Sequence, residues 1–248
     1  MKSNKNIVFG LHPIIEAIKA GKDIDKVLIQ KNAKGPLLSE LFGLIKERGI
    51  STNSVPVEKL NRLVRGNHQG AIAFISPVTF YQLENLLPQI YERGEVPLFL
   101  MLDRVSDVRN FGAIVRTAAC AGVHAVIIPQ KGGAQISEDA IKTSAGALFK
   151  IPVCKEKTLL NTLKYLQDSG IQIVACTEKG NDSLYQIDYT TPTALIMGSE
   201  EDGVSSDLLK KSDYLAKIPM TQIVSSLNVS VAAGVFLFEV GRQRSIVG

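Results

Sequence analysis

The sequence predicts an α/β protein in two parts, a small N-terminal unit and a larger, mostly parallel one. Three observations carry this. Short apolar runs alternate with helical periodicities along the chain. The run Leu98-Phe-Leu-Met-Leu102 has no polar interruption, as a strand buried on both faces requires. Charge divides unevenly: residues 1–76 hold 12 lysines and arginines against 6 acids, residues 77–248 hold 16 against 18, and together they give the formal +4. A basic small unit beside a near-neutral one suggests that the small one meets a polyanion. On charge alone, a solvated lysine surface is an equal reading.

In the first unit, residues 7–9 read as a strand. Residues 12–20 read as a helix, with Ile14, Ile15 and Ile18 on one side. Residues 26–30 are extended. A helix over 36–48 has Pro36 at its start, Leu38, Leu41, Leu44 and Ile45 at helical spacing, and Gly49 as its stop. Residues 51–55 are extended, 57–64 helical and 70–74 extended again, a small α/β sandwich. Residues 77–95 carry Pro77, Pro88 and Gly94 around a weak helical patch, and read as the connection between units.

In the second unit, the strand 98–102 ends in the polar loop 103–109, where open α/β sheets place ligands. A helix over 110–121 is stopped by Gly122. Residues 124–128, 171–176 and 193–197 are further strands, and 159–169 and 204–211 further helices. The glycines do not spell Gly-x-Gly-x-x-Gly after the first strand, so a dinucleotide-binding site is unsupported.

The chain has 45% hydrophobic and 21% charged residues, those of an ordinary globular protein. No run reaches the roughly 18 apolar residues of a membrane span, and no signal peptide is evident, so a cytoplasmic protein is expected. Cys120, Cys154 and Cys176 are odd in number and widely spaced, which fits reduced thiols better than disulfides or zinc. No metal constellation appears.

The most informative stretch is 218–242. Val229, Ala232, Ala233 and Phe236 recur at i, i+3, i+4, i+7, a buried helix. Ser225, Ser226 and Asn228 cluster where its first turn opens, and all three are N-cap types. One cap oxygen suffices, so two polar side chains are left beside unpaired backbone N–H groups, a place for a polar ligand. A doubled cap in a Ser-rich turn is the plainer alternative.

Ile218-Pro-Met220 followed by Ser225-Ser-Leu-Asn-Val-Ser230 resembles the third signature of the SpoU (TrmH-type) RNA ribose 2′-O-methyltransferases, in the SPOUT superfamily. Asp103-Arg-Val-Ser-Asp107 with Asn110-Phe-Gly112 and Arg116 resembles the first signature, and Ile196-Met-Gly198-Ser-Glu200-Glu-Asp-Gly203 the second. Phe9-Gly-Leu-His-Pro13 and His68-Gln-Gly70 resemble marks of the family's N-terminal substrate-binding domain, itself similar to a small ribosomal-protein RNA-binding fold.

The resemblance implies residues 1–76 as an RNA-binding domain, 77–95 as a linker and 96–248 as a catalytic domain with a deep C-terminal trefoil knot, against the general rule that chains do not knot. It implies a homodimer, S-adenosylmethionine as cofactor, and RNA as partner. The branch resembled most methylates a guanosine of 23S ribosomal RNA (RlmB-like). A tRNA ribose methyltransferase and an inactive RNA-binding relative are the alternatives.

For cofactor binding the resemblance implies Thr177, Gly198, Ile218, Met220 and Leu227, with Gly198 letting backbone approach the ligand. For catalysis it implies Arg116, Asn110, Glu200, Ser226 and Asn228. Arg116 suits phosphate contact better than proton abstraction, because guanidinium stays protonated. Asn110 and Asn228 are expected to orient the arginine and the ribose, Ser226 to line the acceptor pocket, and Glu200 to order the loops. His12, His68 and Arg109 are the RNA-contact candidates. Many relatives have Pro where this chain has Val108, so a looser first-motif loop is expected.

Overall fold

A computed structural model describes residues 7–221, 223 and 226–244. The chain forms two compact units, one ending at Thr79 and the other beginning at Phe80.

The first unit runs β1 (Ile7–Phe9), α1 (Leu11–Lys19), β2 (Ile24–Gln30), α2 (Pro36–Glu47), β3 (Ser51–Val55), α3 (Val57–Leu63) and β4 (Ala71–Ile75). Its sheet order is β1-β4-β2-β3, with β2 and β3 parallel and β4 antiparallel to both neighbours. Alternation along β2 decides the layers. Val27 and Ile29 pack against Ile14, Ile18 and Leu41 of α1 and α2, while Leu28 packs with Leu60 of α3 on the other face.

Two of the proposed RNA contacts separate here. His68 is only 8% exposed, its Nδ1 accepts the Gly70 N–H at 3.0 Å, and its Nε2 lies 2.8 Å from Asn61 Oδ1. Because Nδ1 must accept, the ring hydrogen sits on Nε2 and points at the Asn61 oxygen. His68 is therefore a structural residue of the turn before β4, and its reading as an RNA contact is corrected. His12, in the first turn of α1, is exposed. The Leu11 N–H at that helix start donates to Gln69 Oε1 at 3.0 Å, so Gln69 does the capping.

The second unit runs β5 (Phe80–Tyr81), α4 (Leu83–Glu92), β6 (Leu98–Leu102), α5 (Val108–Cys120), β7 (Ala125–Pro129), α6 (Glu138–Thr143), β8 (Val153–Glu156), α7 (Leu159–Asp168), β9 (Gln172–Cys176), β10 (Asp182–Ser183), β11 (Thr193–Met197), α8 (Ser206–Leu209), β12 (Tyr214–Lys217) and α9 (Val229–Gln243). Its sheet order is β10-β12-β9-β11-β6-β7-β8-β5, and every pairing is parallel.

Residues 80–92, read from sequence as connection, are part of this unit. Phe80 and Tyr81 pair with β8, and Leu83, Leu87 and Ile90 of α4 lie in its core. The prolines and glycines that suggested a linker sit at the ends of these pieces and inside one short helix. Strands β8, β10 and β12 and helix α6 lie in stretches whose sequence gave no clear periodicity, because each is six residues or fewer.

Helix α9 is fastened at its far end. Arg244 donates to the carbonyls of Tyr189, Val96, Pro97 and Thr191 at 2.7–3.1 Å, tying the helix to the starts of β6 and β11. Among the described residues it has no carboxylate partner, and burial pulls its guanidinium down to about 10. At the other end α5 and α9 pack side by side, while Gly112 sits so close to α6 that a Cβ would lie 2.6 Å from Thr143 Cβ. Among the described residues no helix is long and apolar enough to cross a membrane.

Candidate active site

The carboxyl ends of β9, β11 and β12 open into a cavity of about 510 Å³. Its walls are Cys176 and Thr177 after β9, residues 197–203 after β11, Ile218 and Met220 after β12, and Ser226 to Val229 with Ala232 and Phe236 at the start of α9. Position and size are those of a small-molecule site in an open parallel sheet. All five residues assigned to cofactor, Thr177, Gly198, Ile218, Met220 and Leu227, line it, as do Glu200, Ser226 and Asn228.

The physical reason for glycine at 198 differs from the one expected. A Cβ there would fall on the carbonyl carbon of Gly203 and the amide nitrogen of Val204. The space is taken by the chain's own turn, which Gly198 lets fold back on itself. Ligand access is a consequence of that turn.

Helix α5 brings Asn110 to the cavity rim. Asp107 caps the helix by accepting the Arg109 and Asn110 N–H groups on Oδ1 at 2.9 and 2.8 Å. Val108 is then the first helical residue, the position proline also favours. The cap holds the first-motif loop despite the missing ring, so the looser loop expected from Val108 is replaced by a side-chain restraint.

The two asparagines meet. Asn228 caps α9, its Oδ1 accepting the Ser230 N–H at 2.9 Å and the Ser230 hydroxyl at 2.6 Å. Its Nδ2 donates to Asn110 Oδ1 at 3.1 Å, and Asn110 Nδ2 donates to Glu200 Oε1. Residues from the first, second and third motifs are thus joined by side chains. The expected orienting role of the asparagines toward an arginine is not what they do within the chain: each orients the other. Ser226 remains exposed at the cavity wall, and Ser225 lies outside the described residues.

Arg116 and Arg109 are not brought into the cavity. Six residues separate Asn110 from Arg116, which places them roughly 120° apart around α5. Seven separate Arg109 from Arg116, so those two share one exposed stripe. Among the described residues neither guanidinium has a hydrogen-bonding or ion-pair partner.

Sequence reading missed the grip of the first motif on the second. Asp103, 5% exposed, accepts the Ser205 N–H on Oδ2 at 2.7 Å. Arg104 donates to Asp202 at 2.9 Å and to the Gly203 carbonyl at 3.2 Å. The signal was the adjacent acid–base pair closing a buried strand. The Cys176 thiol borders the cavity, and burial holds it far above the ordinary thiol range, so it stays protonated. Cys154 is likewise pushed up to about 12 by burial beside Glu156, while Cys120 is exposed. Among the described residues no group of three or more His, Cys, Asp or Glu could hold a metal.

Fold and site together define an α/β protein with a cavity of small-molecule size at the carboxyl edge of a parallel sheet. The sequence profile of the SpoU rRNA methylase family matches residues 97–238, and that of the RNA 2′-O ribose methyltransferase substrate-binding domain matches residues 7–81. YacO of Bacillus subtilis (strain 168), named in the TrmH family of tRNA/rRNA methyltransferases, is 34% identical over 248 residues, 100% of each chain. The SpoU methyltransferase AviRb from Streptomyces viridochromogenes, solved in complex with AdoMet, aligns with a TM-score of 0.61 at 25% identity, over 98% of this chain and 91% of that one. An AdoMet-bound rRNA methyltransferase from Sinorhizobium meliloti also gives 0.61, at 27% identity over 96% and 87%. The chain belongs to the SpoU methylase family.

Breaking the asparagine pair has a measurable cost. Asn228→Ala is expected to lower unfolding free energy by about 1 kcal/mol through the lost cap. A double-mutant cycle between Asn110→Ala and Asn228→Ala in urea should return a coupling of about 0.5–1.5 kcal/mol. A coupling of zero would mean that the two amides do not bond in solution.

Proposed function

We propose that the chain methylates a ribose 2′-hydroxyl in RNA, with S-adenosylmethionine as donor and a guanosine of 23S ribosomal RNA as acceptor. The observation that carries it is the chain of side-chain hydrogen bonds, Glu200 to Asn110 to Asn228, linking all three motifs at one cavity. The cavity fits the donor: apolar side chains of Ile218, Met220 and Leu227 face it for a base, and backbone after three strands offers hydrogen bonds. When bound, S-adenosylmethionine supplies an electrophilic methyl group on a sulfonium.

The chain's own groups do the rest. Thr177, Gly198, Ile218, Met220 and Leu227 hold the donor's nucleoside. Glu200, Asn110 and Asn228 fix the three loops in one arrangement, so that approach geometry is set before the acceptor arrives. Ser226 borders the acceptor ribose. Arg116 and Arg109 lie outside their own chain's cavity and present guanidinium groups, unpaired among the described residues, to phosphate. Supplied to the cavity of the second chain of a dimer, Arg116 steadies charge that develops on the acceptor oxygen without itself losing a proton.

RNA recruitment falls to the first unit. Lys31, Lys34 and Arg65 are exposed and, among the described residues, unpaired; they lie on the loops that adjoin Gly70 and Gly66. Phe9, 39% exposed, touches the position of Gly66, and His12 opens the adjacent helix. Helices α1 and α2 both start here with no acid in the first turn. Cations, helix N-termini and an exposed ring together suit phosphates and an unstacked base. In this reading the RNA-binding domain is residues 1–76, residues 96–248 form the catalytic domain with its trefoil knot, and the protein is cytoplasmic.

A homodimer belongs to the same reading. Val231 and Phe238, seven residues apart on α9, are 52% and 51% exposed on one face. Pairing would cover them and set the stripe of α5 beside a second chain. Phe238→Glu is expected to sediment as a monomer where the unaltered protein sediments as a dimer. A wild-type monomer would remove this part.

The central test is transfer of labelled methyl groups to purified RNA. Incorporation at a guanosine 2′-oxygen of 23S ribosomal RNA is expected, and Arg116→Ala should abolish it while calorimetry still detects donor binding. Incorporation into tRNA alone would assign the alternative substrate; none into either RNA would leave an RNA-binding relative. Replacing Lys31, Lys34 and Arg65 together with alanine should weaken RNA binding at least about tenfold and flatten its salt dependence, with donor affinity unchanged. RNA affinity equal to wild type would refute the recruiting face.

A further inference from the structure

Residues 198–203 line the cavity as one unbroken turn. The turn is closed on itself by Ser199 N–H to the Gly203 carbonyl at 3.2 Å, by Gly203 N–H to the Ser199 carbonyl at 3.0 Å, and by Asp202 N–H to Ser199 Oγ at 3.2 Å. Such a turn is internally tight, but its attachment to the sheet must come from elsewhere. Glu200 is held by Asn110 on one side. Among the described residues, the remaining side-chain hydrogen bonds to the turn come from Arg104, which is absent from the cavity wall.

Three features single Arg104 out. Its guanidinium holds the side chain of Asp202 and the backbone carbonyl of Gly203 at once, a fork that lysine cannot reproduce. It is itself braced by the buried Asp103, 3.2 Å from Nε, whose second oxygen takes the Ser205 N–H just past the turn. And its backbone is left-handed, with φ of 59°. That conformation costs a side-chain-bearing residue and would suit glycine better. An arginine held there against its backbone preference points to work done by the side chain.

We infer that Arg104 is a positioning residue for the donor site: it latches the cavity-lining turn 198–203 to the end of β6, so that the turn is preset to receive S-adenosylmethionine. The inference rests on the cavity being the donor site. Arg104 does not touch the donor. It acts through the position of Asp202 and Gly203, and its loss raises the cost of ordering the turn on binding.

The experiment uses the full-length protein, titrated calorimetrically with S-adenosylmethionine, with thermal unfolding measured in parallel. Arg104→Gly keeps the left-handed backbone and removes the latch. It also leaves the buried Asp103 without its counter-charge, so the melting temperature is expected to fall, while donor affinity measured well below the transition weakens at least about tenfold, since two hydrogen bonds to the turn, one of them between charges, are gone. Arg104→Lys, which can keep the bond to Asp202 and not the one to Gly203, should fall between. A merely structural arginine would lower the melting temperature and leave donor affinity of the folded protein as in wild type, and that result overturns the inference. So does wild-type donor affinity in Arg104→Lys should the glycine variant not fold. Ile218→Arg, which obstructs the cavity, separates the two levels: undiminished affinity in that variant would relocate the donor and sink the cavity reading itself.

Discussion

A backbone N–H can only donate, and that single constraint sets the polarity of the site. The Ser230 N–H at the start of α9 requires an acceptor, so Asn228 must turn its carbonyl oxygen toward the helix. Its amide nitrogen is then left for Asn110, which must offer its own oxygen, leaving its nitrogen for the carboxylate of Glu200. No amide in this chain can flip without setting donor against donor or oxygen against oxygen. A requirement of helix capping is thereby transmitted through two side chains to a loop 28 positions before the cap in sequence. Because the relay is exposed to water, its value lies in specifying one arrangement more than in net stabilisation.

The parallel sheet makes this relay possible. In-register pairing of β6 with β11 and of β11 with β9 brings the ends Leu102, Met197 and Cys176 level, so three loops leave one edge together. Close backbone approach then replaces side-chain packing: the turn after β11 folds onto Gly198, and the loop after β9 passes Leu215 at Gly180, where a Cβ would meet the Leu215 carbonyl. Helix α9 is held at its start by Asn228 and at its finish by Arg244. It closes one side of the cavity with Ala232 and Phe236.

Legibility followed length and periodicity. The run that became β6 is unbroken and apolar, that of β11 is apolar after Thr193, and Val229, Ala233 and Phe236 of α9 recur at helical spacing, so those elements were readable. β10 has two residues and β12 four, with exposed Tyr214 and Lys217, and no pattern can form in so few positions. Asn228 was readable as one of three cap candidates, with Ser225 and Ser226, because residue type and place both announce a cap. That its other amide edge meets Asn110 was not, since the contact spans 118 positions and depends on the packing of α5 against α9. His68 misled for a related reason. A histidine in a polar turn looks available, and only the fold reveals Asn61 and the Gly70 N–H already on its two nitrogens. Arg104 went unassigned because its partners lie 98 and 99 positions away.

The division of charge between the units now has a chemical sense on the proposed reading. The cavity wall carries Glu178, Glu200, Glu201 and Asp202 against a single Lys179. Such a lining favours a cationic donor and opposes the phosphates of an RNA chain. The same residues that suit one substrate repel the phosphates of the other, so the cavity that receives the acceptor ribose does not supply the cations that hold the RNA chain. It needs cations elsewhere. Arg109 and Arg116 sit on a face of α5 turned away from Asn110, and Lys31, Lys34 and Arg65 belong to the other unit. The excess of 12 basic over 6 acidic residues in the first 76 positions is then the counterpart of an acidic donor pocket, the two substrates being separated by sign as well as by place.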